Sequence, residues 1–176
     1  FKPLLFFAAG SILHATGTRQ AERLGGLLRR MPRCGALMLA GCVCAAGLPP
    51  GNAFASEWLL YLGLLHGGEG PAWPVLALPA LALTGGLALA TFAKLAGTVL
   101  LGAARSPAGA HAHDPGPTML GPMAVLAALC LLAACALPWT LALLRPAMAL
   151  WAGADPGPAP AAAALALWLP PALALA

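Results

Sequence analysis

The sequence predicts an all-α fold, a polytopic transmembrane helix bundle with one discontinuous helix. Three observations predict it. The 176 residues are 61% hydrophobic and 8% charged, with a mean hydropathy of +0.86, whereas a soluble domain carries about 25% charged residues. Apolar runs recur along the chain, and crossing a hydrocarbon core about 30 Å thick takes roughly 20 such residues. One of these runs is interrupted by Pro49, Pro50, Gly51 and Asn52. Lipid must therefore be the solvent for part of the chain, which excludes a water-soluble domain. The size fits roughly one domain, here a bundle of about four or five helices.

The elements follow in order. Residues 3–18 carry no formal charge and read as the latter part of a helix. Gly10, Ser11 and His14 are expected on or near one of its faces. Residues 19–33 form an amphipathic connector. Leu24, Leu27, Leu28 and Met31 give an apolar stripe at helical spacing, so the segment is predicted to lie in the interface plane. Arg19, Arg23, Arg29, Arg30 and Arg33 fall in the same connector. That cluster is a positive-inside signal, so it places the connector on the cytoplasmic side and speaks against a nucleic-acid partner.

Residues 34–66 form the next apolar unit. Neither Cys34–Leu48 nor Phe54–Leu65 reaches the roughly 20 residues of a full span, so one broken span fits better than two. Proline removes a backbone donor and clashes with the preceding turn. The carbonyls it frees must find neighbours or water, which puts polar surroundings beside Glu57. A polar turn at 66–71 includes Glu69, and residues 72–104 read as a long span with Trp73 as an interface anchor. Within it, Thr84-Gly85-Gly86 lets another helix approach closely. Residues 105–121 read as a loop, and Pro122–Leu144 as a charge-free span that Pro138 is expected to kink. A linker at 152–160, with Asp155, precedes a further apolar run from 161 to 176. The chain starts at Phe1 without Met and stops inside an apolar stretch; the expectation is a piece of a longer polypeptide.

Three ionisable residues, Lys2, Glu57 and Lys94, sit within membrane-depth segments. Such groups are costly in lipid and persist where they face a bundle interior or a wet cavity, commonly in an ion or proton path. Glu57 is the strongest candidate, because a carboxylate beside a helix break is the architecture of ion-coupling sites. Its plain alternative is a place at headgroup level with Trp58 and Tyr61. Lys2 and Lys94 are the matching cations, with snorkelling the plain alternative for Lys94. His14 is a candidate proton relay, or an interface histidine near the arginines. Cys34, Cys42, Cys44, Cys130 and Cys135 lie in apolar runs without a CxxC and are expected to serve packing. His111-Ala112-His113-Asp114 looks like a small metal cluster, but a solvated loop is the better expectation. No nucleophile elbow, Walker loop, dinucleotide fingerprint or haem motif occurs. No cofactor is expected, and electron transfer is assigned to other chains.

Two stretches resemble a known family. Phe1-Lys2-Pro3-Leu4-Leu5-Phe6-Phe7 with Gly10-Ser11 and His14, and Gly47 to Glu57 with its Pro49-Pro50 pair, look like segments of the antiporter-like membrane subunits. Those subunits occur in respiratory complex I, Mrp-type antiporters and membrane-bound hydrogenases. Gly25-Gly26-Leu27 with Met31-Pro32 is similar to the family's connector. The patterns at 14–19, Ser56–Leu60, Lys94 before Leu101-Gly102, and 111–114 most resemble the large antiporter-like subunits of hydrogenase-4 and formate hydrogenlyase. One departure is Ala53, where the family usually has Gly.

The resemblance implies the C-terminal part of an antiporter-like fold. Residues 1–66 would be the end of its proton-translocation domain, and 67–176 further transmembrane helices. It implies that Lys2 is the lysine joining the central hydrated axis to the second half-channel, and Glu57 the acid near the second broken helix. The expected function is proton translocation in a bacterial inner-membrane oxidoreductase complex, with hydrophilic redox subunits and other membrane subunits as partners. Alternatives are an Mrp-type Na⁺/H⁺ antiporter component, for which one acid beside the break is sparse, and a structural membrane anchor.

Overall fold

A computed structural model describes residues 1–66 and 73–152. The described residues are helical throughout, with turns between helices and no strand. The turn expected at 66–71 beyond His66, with Glu69, lies outside them. So do the side chain of Trp73, Asp155 and everything expected from 153 on.

Helix α1 spans Lys2–Thr16, with Pro3 in its first turn and Gly17 at its end in the left-handed region, φ 68°. The Gly17 amide donates to the Leu13 carbonyl at 2.8 Å and closes the helix. Leu4, Ala8, Ser11 and Ile12 face inward at spacings of four, three and one. Gly10 and His14 are exposed. The face predicted to join them with Ser11 is therefore split. Ser11 lies a full 100° of helical rotation from Gly10 and donates to Met123 Sδ at 3.6 Å in the core.

The connector departs from expectation more strongly. It forms a 3₁₀ turn at Ala21–Arg23 and a single helical turn, α2, at Leu27–Arg30. Leu24, Leu27 and Met31 are buried as the stripe predicts, and all five arginines are exposed. The apolar side, however, covers protein rather than lipid. Gly25-Gly26 interrupts the helix, and Gly26 takes φ 63°. Its amide donates to the Leu101 carbonyl at 2.9 Å, and that of Leu28 to Leu100 at 3.0 Å. A Cβ on Gly25 would collide with the Ala103 carbonyl, so only glycine allows this stitch.

Helix α3 (Pro32–Ala45) and helix α4 (Asn52–His66) form the two halves of the interrupted unit. Helix α5 (Trp73–Val99) is about 40 Å long at 1.5 Å per residue. It runs antiparallel to both halves in turn. Its end packs Leu100 on Gly35, its middle brings Leu89 and Phe92 to Leu39 and Val43, and its start brings Ala77 and Leu81 to Leu60 and Leu64. One continuous helix alongside both halves makes α3 and α4 a single discontinuous span.

A one-turn helix, α6, occupies Pro107–Ala110, so the loop expected at 105–121 is partly ordered as helix. The next run begins earlier and breaks sooner than predicted. Helix α7 is Pro117–Cys135, and a separate helix, α8, runs Leu137–Ala152. The run is thus interrupted for one residue, Ala136, where the kink was expected, and Pro138 just after it sits in the first turn of α8. A proline is tolerated there because first-turn amides have no helical partner.

Helices α5 and α7 are long and apolar enough to cross a membrane, and α3 and α8 are shorter apolar helices. The core lies between α1, α3, α5 and α7, around Leu4, Met38 and Met123. Large apolar side chains such as Phe6, Leu83 and Leu143 point outward, 77%, 64% and 81% exposed, as lipid-facing residues do.

Candidate functional site

The break begins before the prolines. Helix α3 stops at Ala45, and Gly47 turns into the left-handed region with φ 67°. The Leu48 amide donates to Val43 at 3.2 Å and the Gly47 amide to Cys44 at 3.3 Å. These are the two bonds of a Schellman cap. They satisfy two of the last-turn carbonyls of α3, those of Val43 and Cys44. The Pro49–Pro50 peptide bond is cis, Gly51 donates to the Leu48 carbonyl at 2.8 Å, and Asn52 already opens α4. The predicted break at Pro49, Pro50, Gly51 and Asn52 is therefore shifted toward the N-terminus. A residue before proline avoids the helical region, so α3 must end upstream of Pro49.

Glu57 lies in the second turn of α4 and is half-buried. Its carboxylate rests against the backbone of Gly47: a Cβ built there would stand 2.7 Å from Oε2 and 3.1 Å from Oε1. A Cβ on Gly85 of α5 would stand 3.9 Å from the same Oε2. The acid is thus lodged between the capped end of α3 and a glycine of α5. Apolar clefts adjoin α5 on both sides of this level. One of about 470 Å³ lies between α4 and α5, and one of about 160 Å³ lies between α3 and α5. Trp58, next to Glu57, stacks on Phe54 with ring centroids 6.3 Å apart.

Lys2 is exposed at the start of α1. Leu4 and Leu5 pack on Gly41, and Ser11 reaches Cys34, so α1 runs antiparallel to α3. Three residues before Leu5, Lys2 stands about 4.5 Å further along the axis, close to the level of Cys44 and the break. Lys2 therefore stands near the end of α3, while the Glu57 carboxylate is turned toward Gly47 and Gly85. No ion pair joins them among the described residues. Lys94 is exposed on α5, about 13 Å along the helix from Gly85. His14 is exposed at the opposite end of α1, about 18 Å from Lys2. Neither is brought to Glu57.

A second polar cluster lies on the other side of the break. The Cys44 thiol meets the Cys130 thiol and the backbone amide of Asn52, while Asn52 Oδ1 is buried without a hydrogen-bond partner. Cys34, Cys42, Cys44 and Cys130 are buried and free, and Cys135 is exposed. No group of three or more metal-ligating residues occurs among the described residues.

The 111–114 segment has a role that sequence reasoning missed. Asp114 accepts from the Cys34 amide at 3.1 Å and from the Arg33 amide at 3.2 Å. It caps α3 from about 80 residues away. A signal for this existed: α3 begins at Pro32 after Met31, with no side-chain cap of its own. A first turn without a local Ser, Thr, Asp or Asn needs an acceptor from elsewhere.

Residues 1–82 match the family model described as NADH:quinone oxidoreductase/Mrp antiporter, transmembrane. Hydrogenase-4 component B of Escherichia coli is 40% identical over 144 residues, 79% of this chain and 21% of that protein. Formate hydrogenlyase subunit 3 of the same organism is 37% identical over 156 residues, 85% of this chain and 26% of that protein. An Na⁺/H⁺ antiporter subunit of Alkalihalophilus pseudofirmus is 45% identical over 69 residues, 39% of this chain and 9% of that protein. The chain thus spans 21% and 26% of the length of the two hydrogenase-type relatives.

Proposed function

From a chain whose first 82 residues match the NADH:quinone oxidoreductase/Mrp antiporter transmembrane family, we propose a subunit that moves protons through Glu57 and Lys2. It works within a multi-pass bacterial inner-membrane complex, coupled to redox chemistry in partner subunits. The observation that carries the reading is the Glu57 carboxylate, lodged at a capped helix break between Gly47 and Gly85. Carboxylates at membrane depth persist chiefly where they face a bundle interior or an ion or proton path. The break supplies backbone polarity at the same depth, and Lys2 starts its helix near the end of α3. Lys94 and His14 extend the path toward the arginine-bearing end of the bundle.

The extent of the similarities favours a hydrogenase-type complex. The hydrogenase-type relatives match 79% and 85% of this chain, whereas the antiporter relative matches 39%. The match to an Na⁺/H⁺ antiporter protein supports a second reading, in which sodium is an exchanged ion. Against it stands Glu57 as the single acid at the break among the described residues.

The test is Glu57→Gln in the complete complex, assayed in native membrane vesicles. Redox turnover of the partner subunits and proton uptake are followed together. Loss of proton uptake with the complex still assembled supports the proposal. Unchanged uptake refutes it, and uptake that requires added sodium moves the assignment to the antiporter reading.

A further inference from the structure

We infer that Gly47 and Gly85 form a side-chain-free seat for the Glu57 carboxylate, and that Gly85 is a positioning residue that sets how much water reaches it. The inference rests on the proton-exchange reading above and deepens it.

The two glycines serve differently. A Cβ on Gly47 would stand 2.7 Å from Oε2 and 3.1 Å from Oε1, so no side chain fits while the carboxylate stays. Gly47 also needs its left-handed φ of 67° for the cap on α3. One glycine therefore ends the helix and receives the acid, which ties the carboxylate's position to the geometry of the break. Gly85 lies in mid-helix. A Cβ there meets Oε2 at 3.9 Å, an ordinary van der Waals contact. The position tolerates a methyl group, yet that methyl would occupy the space in which water approaches the oxygen. Liquid water takes about 30 Å³ per molecule and bonds at about 2.8 Å. Thr84 does not compete for the carboxylate, because its hydroxyl already donates to the Leu81 carbonyl at 2.8 Å. The cleft of about 470 Å³ between α4 and α5 reaches Thr84, next to Gly85, and is lined further by Leu60 and Leu81.

The neighbouring glycine is a built-in control. A Cβ on Gly86 meets nothing within 4 Å. Gly85 and Gly86 occupy the same helix, and of the two only a Cβ on Gly85 would meet Glu57. Titratable groups on the surrounding elements stand further off. Tyr61 is one turn along α4, Lys94 is about 13 Å along α5, and Arg33 is at the far end of α3. On the other side of the break, the Cys44 thiol of α3 faces the Cys130 thiol of α7.

The test is the pH profile of proton translocation in native membrane vesicles holding the complete complex. Gly85→Ala is compared with Gly86→Ala, wild type and Glu57→Gln. Removing water from one side of a carboxylate favours its protonated form, so Gly85→Ala moves the midpoint to higher pH. Gly86→Ala keeps the wild-type profile. Gly85→Ser adds nearly the same volume with a hydroxyl donor, which favours the ionised form, and moves the midpoint the other way. It also carries the test if Gly85→Ala does not accumulate. Wild-type translocation by Glu57→Gln overturns the proton-exchange reading itself. An inactive Glu57→Gln, with Gly85→Ala tracking Gly86→Ala or with Gly85→Ala and Gly85→Ser shifting alike, overturns the seat and leaves that reading standing.

Discussion

Replacing Asp114 with Ala should loosen the loop at 105–116 from the discontinuous span. The carboxylate accepts two amides in the first turn of α3, at 3.1 and 3.2 Å. Losing an N-terminal cap costs about 1–2 kcal/mol. The negative charge at the positive end of the helix dipole adds roughly 0.3–1 kcal/mol. Together they come to about 2 kcal/mol, or roughly a thirtyfold rise in the locally open population. Proteolysis reads that population when closing is faster than cleavage. Arg105 is exposed at the start of this loop, so trypsin cleavage after Arg105 in inside-out vesicles is the assay. Asp114→Ala should be cut about thirty times faster, given that free-energy change. Asp114→Asn keeps one side-chain oxygen but loses the charge, and should fall between that variant and wild type. Equal cleavage of all three would refute the assignment of Asp114 as the cap.

Other perturbations follow from the same packing. Gly25→Ala should cost about 1–3 kcal/mol of overpacking against the Ala103 carbonyl and reduce the amount of assembled protein in membranes. Gly10→Ala meets nothing within 4 Å and should assemble normally. Gly47→Ala should cost roughly 1–2 kcal/mol for its left-handed conformation and also expel the Glu57 carboxylate, so translocation should fall more than assembly does. Met123→Ala opens a cavity where Met123 is 0% exposed. Because lipid is as apolar as the core, the packing term dominates there, roughly 2 kcal/mol in thermal or detergent unfolding of the complex. Leu143→Ala, at a residue 81% exposed, should leave stability unchanged.

Composition and run length alone were enough for the membrane class and for a broken span, because both follow from the cost of an unsatisfied backbone in lipid. That α3 and α4 form one span follows equally from their lengths. The inward stripe of Leu24, Leu27 and Met31 was legible from helical periodicity, and Glu57 stood out as a candidate from the rarity of charge at that depth. The resemblance in residues 1–57 pointed to the family whose model matches residues 1–82.

What the stripe covers was not legible. It packs on α5 because Gly25-Gly26 lets two backbones touch, and a periodic pattern does not distinguish protein from lipid as the apolar partner. The start of the break was missed because the cap at Gly47 depends on two hydrogen bonds rather than on proline alone. The single span predicted at 122–144 was divided at Ala136, since apolar run length says nothing of where a proline-led helix begins. Asp114 on the Cys34 amide, and Gly85 beside Glu57, join residues 80 and 28 positions apart. Hydropathy and motif spacing are local along the chain, and these pairings depend on which helices pack side by side.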